Sequence, residues 1–235
     1  MTSGTFSRAC EPAAAMSMRP DVDEALRYLG VPHPTEEMRR EAERLADELS
    51  AEIQPRYVYR VFGLEHLPDC VRLQGANVDL IGSSARTMLA GCGQAVLLAC
   101  TLGARFDAKL LALQARDMAK AVVYDALGSA LVEAGCDEAE RDISARFPDL
   151  FLTDRFSPGY GDLPLALQPQ FCAALDGGRR LGLTVSQSLL LNPVKSVTAV
   201  IGLSDSPRPA RIRGCAYCNL RETCTVRKGG STCAL

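Results

Sequence analysis

Histidine is nearly absent from this chain: His33 and His66 are the only two among 235 residues. Both stand beside prolines in the N-terminal half, with no cysteine or carboxylate pattern around them. That argues against a histidine-ligated metalloenzyme and against a Ser-His-Asp hydrolase. Long apolar runs are lacking too. The longest useful one, Ala95 to Leu102, falls far short of the roughly 20 residues that cross a bilayer, so no membrane partner is expected. Residues 1–20 are small and polar, with scattered Arg8 and Arg19, and have no apolar centre of a secretory signal; they read as a disordered leader. Neither a Walker loop nor a G-x-G-x-x-G after a strand is present, and Gly91-Cys-Gly93 alone is a weak signal. There is no internal repeat and no regular βαβ alternation, which removes the need for a doubly wound sheet.

What remains is ordinary globular material, 47% apolar and 23% charged, enough for a sizeable core. Glu36 to Ile53 spaces Met38, Ala42, Leu45, Leu49 and Ile53 as one helical stripe, and Asp21 to Leu29 reads as a short helix before it. Tyr57 to Phe62 is β-branched and aromatic. Val71–Leu73 and Val78–Ile81 flank Gln74-Gly-Ala-Asn77 as a hairpin would. Ser83 or Ser84 can cap a short helix through Leu89, and Ala95–Thr101 reads as a buried strand. The spacing predicts one long helix over 105–133, with Leu110, Leu113, Met118, Ala121, Val122, Ala126 and Ala130 in its buried stripe, and a second over 137–147. Asp125 lies within an apolar stretch, where a carboxylate serves either chemistry or a structural partner. Beyond Asp149 the chain predicts short strands at 150–152, 181–185, 188–191 and 197–201 and a helix near 170–175. The class expected is α+β, a mixed or antiparallel twisted sheet with packed helices, over residues 21–204.

Four of the ten cysteines, Cys215, Cys218, Cys224 and Cys233, fall in the last 21 residues. Four thiolates suffice for a tetrahedral zinc site or an iron–sulfur cluster. The spacing is not the C-x3-C-x2-C of radical enzymes that cleave S-adenosylmethionine. From Asp205 onward six basic residues face two acidic ones, a net +4 within a chain of net −2. That charge offsets thiolates around a metal; it could also bind nucleic acid, but the overall acidic balance and the lack of basic–aromatic interleaving speak against a nucleic-acid partner. Residues 205–235 are therefore read as a basic, cysteine-rich metal-binding tail. The other cysteines (Cys10, Cys70, Cys92, Cys100, Cys136, Cys172) are isolated and read as small buried hydrophobes in a reducing cytoplasm.

The second informative segment is Arg155-Phe-Ser-Pro-Gly-Tyr-Gly-Asp162. Pro158-Gly159 favours a type II turn, and Gly161 lets the backbone approach a ligand closely. Arg155 can clasp a carboxylate, and the Tyr160 ring can face a cation. A structural turn with a surface arginine fits these residues equally well. Arg155 to Tyr160 resembles the Arg-x-x-x-Gly-Tyr motif of the activation domain of cobalamin-dependent methionine synthase. The stretches Gly182-Leu-Thr-Val-Ser-Gln-Ser and Pro193 to Gly202 are similar to the strand pair that follows the motif in that family. Leu26-Arg-Tyr-Leu-Gly and Ala99-Cys-Thr-Leu-Gly103 fit its free-standing, single-domain members. The family's early acidic motif is not found here, and Gly161-Asp162 replaces the proline and small residues that follow the family's tyrosine.

The resemblance implies a methyltransferase component that binds S-adenosylmethionine and supports reductive remethylation of cob(II)alamin on a cobalamin-binding methionine synthase or related corrinoid protein. Ferredoxin or flavodoxin would be the reductant. It implies Arg155 on the methionyl carboxylate, backbone contacts from Ser157, Pro158 and Gly159, close approach at Gly161, and Tyr160 near the sulfonium as the catalytic residue. In that setting an iron–sulfur cluster on the tail has an electron to deliver, which redox-inert zinc lacks. The alternative is a non-enzymatic zinc-bearing binding module that uses the basic tail.

Overall fold

A computed structural model describes residues 17–31, 33–207 and 222 of the chain. Helices α1 (Val22–Tyr28) and α2 (Glu36–Glu52) come first. Each is opened by a side-chain cap: Asp21 accepts the amide of Glu24, and Thr35 that of Met38. A meander of β1 (Arg56–His66), β2 (Cys70–Leu73) and β3 (Asp79–Ile81) follows. Then come α3 (Ser83–Leu89), β4 (Gln94–Thr101), α4 (Ala104–Gln114), α5 (Met118–Arg146) and β5 (Phe151–Leu152). The chain continues through α6 (Gln168–Ala174), α7 (Gly177–Leu181), β6 (Thr184–Val185), β7 (Leu191–Asn192) and β8 (Ser196–Ser204). Six strands form one sheet in the order β3-β2-β1-β4-β8-β5, and all its pairings are antiparallel; β6 and β7 make a separate small hairpin. The α+β class and the antiparallel sheet are as the sequence predicts.

Period-two alternation divides the central strands between two cores. Tyr57, Tyr59, Val96, Leu98, Cys100, Ile201 and Leu203 face α1, α2, α4 and α5. Val58, Phe62, Ala95, Leu97, Ala99 and Val200 face the layer of α3, α6 and α7. β4 is buried along almost its whole length because it lies between β1 and β8 with helices on both faces. That explains its unbroken apolar run.

Several expectations need correction. The helix over 105–133 is two helices, and the segment 137–147 continues the second of them. Asp117 accepts the amide of Lys120 and restarts the helix as the cap of α5. The restart turns the stripe, so Met118 and Val122 stand 60% and 48% exposed instead of buried. Of the two roles open to Asp125 the structural one is observed, since its carboxylate meets the Lys195 ammonium at 2.9 Å. Ser83 and Ser84 do not cap α3. Its N-cap is Gly82, and a carboxylate from a distant loop does the work described below. Residues 17–20 belong with the folded part and not the leader: the Met18 amide donates to Gln54 at 2.7 Å, and Arg19 pairs with Glu43 and Asp47. Of the strand expected over 181–185 only β6 at its end forms, since Leu181 closes α7 and Gly182 is its C-cap, and of the one over 188–191 only Leu191 is strand, in β7. Cys92, Cys100, Cys136 and Cys172 are buried, as expected, and Cys70 is partly buried. Cys10, residues 1–16 and the tail cysteines Cys215, Cys218, Cys224 and Cys233 lie outside the described residues. No helix among the described residues is long and apolar enough to cross a membrane.

Candidate functional site

The Arg155 segment leaves the sheet at its β5 edge. After β5 pairs with β8, the chain stays alongside β8. Thr153 exchanges bonds with Gly202, and Phe156 and Val200 exchange amide–carbonyl bonds of 3.0 and 2.8 Å. This bridge fixes the direction of two consecutive side chains. Phe156 is buried in the core beneath α3 and α6, while Arg155 reaches the other way, to α5.

There the guanidinium meets three carboxylates. Its Nη1 lies 2.7 Å from Asp137 Oδ1 and 3.0 Å from Glu140 Oε1, and its Nη2 lies 2.9 Å from Glu133 Oε2. Those acids are spaced four and three residues apart, so one face of α5 presents them together. The Arg155 side chain is only 15% exposed. Its burial alone would lower the guanidinium's pKa; the surrounding anions, Glu140, Asp137 and Glu133 among them, outweigh that and raise it. Arg155 is therefore a firmly charged cation with its acids already gathered. The sequence reading missed these acids: it ends one helix at 133 and begins the next at 137, whereas α5 runs unbroken through both.

The next residues form the expected type II turn. The Tyr160 amide donates to the Ser157 carbonyl at 3.1 Å, and Gly159 holds φ +93° at the position that needs it. Pro158 is buried, and the Gly159 amide donates to Leu163 at 2.8 Å, closing the loop on itself. The amides of Gly159 and Tyr160 are thus spent inside the turn, so contacts to a ligand there fall to carbonyl oxygens and side chains. The Tyr160 ring projects outward, 68% exposed. Gly161 holds φ +54°, and a Cβ on it would lie 2.6 Å from Ser84 Oγ. Ser157 to Gly161 are thus brought together in one tight loop against α3, whereas the Arg155 guanidinium is turned to α5 on the other side of Phe156.

Asp162 ends the loop and binds the start of α3. Its Oδ2 accepts the Ser83 amide and hydroxyl, both at 2.6 Å, and its Oδ1 accepts the Ser84 amide at 2.9 Å. The Ser83 hydroxyl, followed by the Ser84 and Ser83 amides, holds the Asp162 carboxyl well below the usual carboxylate range. A second polar knot lies beyond β7. The Lys195 ammonium donates to Asp125 and, at 2.8 Å, to Ser129, which ties the approach to β8 onto α5. Among the described residues no group of three or more His, Cys, Asp or Glu is placed to hold a metal ion.

The fold and site define an α+β domain whose antiparallel sheet separates two helical layers and carries an arginine-to-tyrosine turn at one edge. Among solved structures, it matches the crystal structure of the MetH reactivation domain bound to AdoHcy. The TM-score is 0.58 at 16% sequence identity, covering 83% of this chain and 72% of that one. The chain therefore has the fold of that domain. No family model and no curated protein matches the sequence.

Proposed function

We propose that this chain binds S-adenosylmethionine along Arg155–Gly161 and supports reductive remethylation of cob(II)alamin carried by a separate methionine synthase or related corrinoid protein. The observation that carries this reading is that the Arg155-to-Tyr160 turn stands at the sheet edge of a fold shared with a domain solved with AdoHcy. The reaction balances simply. Cob(II)alamin takes one electron, the methyl–sulfur bond breaks with its electron pair left on sulfur, and a cobalt–carbon bond forms, releasing S-adenosylhomocysteine. The protein's part is alignment and exclusion of water.

Arg155 suits the methionyl carboxylate because its charge is secure and its orientation fixed by α5. A ligand carboxylate would enter by exchange with one of the three acids. Asp137 is the most exposed of them, at 56%, and the displaced carboxylate would then be at hand for the ligand's ammonium. Tyr160 would offer its exposed ring to the sulfonium and the corrin face. Titrating the protein with S-adenosylmethionine in a calorimeter, alone and with a cobalamin-bearing partner, tests this directly. Saturable heat in either setting is expected, and none in both would refute it.

The electron would come from ferredoxin or flavodoxin. The donor set at Cys215, Cys218, Cys224 and Cys233, four thiolates among arginines, fits an iron–sulfur cluster that would supply one-electron chemistry. After anaerobic purification the protein is expected to contain iron and sulfide and to absorb in the visible. Changing Cys215 and Cys218 to serine should remove both. One zinc and no iron would refute the electron-relay role and leave methyl-donor binding standing.

A further inference from the structure

We propose that Asp162 is a positioning residue, clamping the Ser157–Leu163 loop to the start of α3 and so setting where Tyr160 stands. The inference rests on the S-adenosylmethionine reading above for its functional consequence, but the clamp itself rests on geometry.

Tyr160 is 68% exposed, so packing covers only a minor part of it. Its direction is set by its backbone. That backbone is anchored on one side by the Phe156–Val200 bridge and on the other by the buried Leu163. Between those anchors stands Asp162, whose carboxylate takes three hydrogen bonds from Ser83 and Ser84, 79 and 78 residues away in the chain. Bonds to an ionised carboxylate are shorter and stronger than neutral ones, and the first amides of a helix favour a negative charge. α3 has no capping side chain of its own, because Gly82 occupies its N-cap. The two segments are also cut to fit each other. A Cβ at Gly82 would fall 2.6 Å from Asp162 Oδ1 and 2.8 Å from its carbonyl oxygen. A Cβ at Gly161 would fall 2.6 Å from Ser84 Oγ and 3.2 Å from the Phe156 ring. Two glycines with positive φ at one contact, joined by a carboxylate, make a seam that fixes the loop's height above α3.

A plain helix cap would affect α3 stability and nothing else; a clamp also governs Tyr160 and the ligand. The chain contains no tryptophan, so the Tyr160→Trp variant carries a single indole at the loop tip. In that background Asp162→Ala is expected to shorten the rotational correlation time of the indole. In the parent background Asp162→Ala should weaken S-adenosylhomocysteine, used as the calorimetric probe, on the order of tenfold, with far-ultraviolet circular dichroism retained. Ser83→Ala, which removes one of the three bonds, should fall between parent and Asp162→Ala in both readouts. Unchanged indole motion together with unchanged affinity in Asp162→Ala would overturn the proposal. A loosened indole in a protein whose parent form binds no ligand would uphold the clamp and refute the S-adenosylmethionine reading instead.

Discussion

Arg155→Ala is expected to weaken S-adenosylmethionine binding by at least about a hundredfold and to lower folding stability by about 2–3 kcal/mol. On the proposed reading, the first effect is the loss of the guanidinium assigned to the ligand carboxylate. The second arises because Glu133, Asp137 and Glu140 are left facing each other on α5 without the guanidinium that gathers them. Removing one partner from a partly buried ion cluster costs more than the cluster contributes net, since the remaining charges keep what desolvation they carry and gain repulsion. The figure sits below the range for fully buried pairs because Glu133 and Asp137 are partly exposed. Urea unfolding of the parent and variant at pH 7 measures the deficit. Arg155→Lys should retain part of the stability and little of the affinity, because a single ammonium cannot span three acceptors in a fork.

Gly128→Ala should cost about 2–3 kcal/mol without touching ligand affinity. Gly128 lies on α5 where α4 crosses it. An added Cβ would stand 2.2 Å from Cζ and 2.4 Å from Cε2 of Phe106, whose ring is fully buried and stacked on Tyr124 at 5.1 Å between centroids. That ring cannot swing aside as a flexible side-chain end could, so the helices must part. Adding Phe106→Leu to Gly128→Ala should recover more stability than the separate effects allow, a coupling that a double-mutant cycle in urea measures. Equal ligand affinity in parent and Gly128→Ala would separate this packing effect from the site.

These two positions also mark what the sequence made legible. Strands rich in β-branched and aromatic residues, such as Tyr57 to Phe62, and the hairpin around Gln74 to Asn77 were readable because their signals are local. The type II turn at Pro158-Gly159 was readable for the same reason, since proline and glycine restrict their own backbone. The break between α4 and α5 was not. Ala115-Arg116-Asp117 contains neither glycine nor proline, and only the capping bond of Asp117 ends one helix and begins the next. The partners of Arg155 and Asp162 were hidden by distance along the chain. Glu133, Asp137 and Glu140 share a face only because α5 runs unbroken where the sequence predicts a gap between two helices, and what that face meets is decided by the β5–β8 edge carrying Arg155 toward it. Serines 83 and 84 were recognised as residues of a helix start, and only the fold reveals that they donate to Asp162 instead of capping the helix themselves.

The most direct measurement of the central claim follows the methyl group. S-Adenosylmethionine labelled in its methyl carbon, reduced ferredoxin or flavodoxin, and a cobalamin-loaded partner lacking any reactivation domain of its own would be incubated with this protein or with Arg155→Ala. The account predicts label on the cobalamin in the presence of the parent protein, with loss of the cob(II)alamin spectrum, and on the order of a hundredfold less with Arg155→Ala. Label transfer at the same rate with Arg155→Ala as with the parent, or no transfer by the parent with any cobalamin partner, would contradict it.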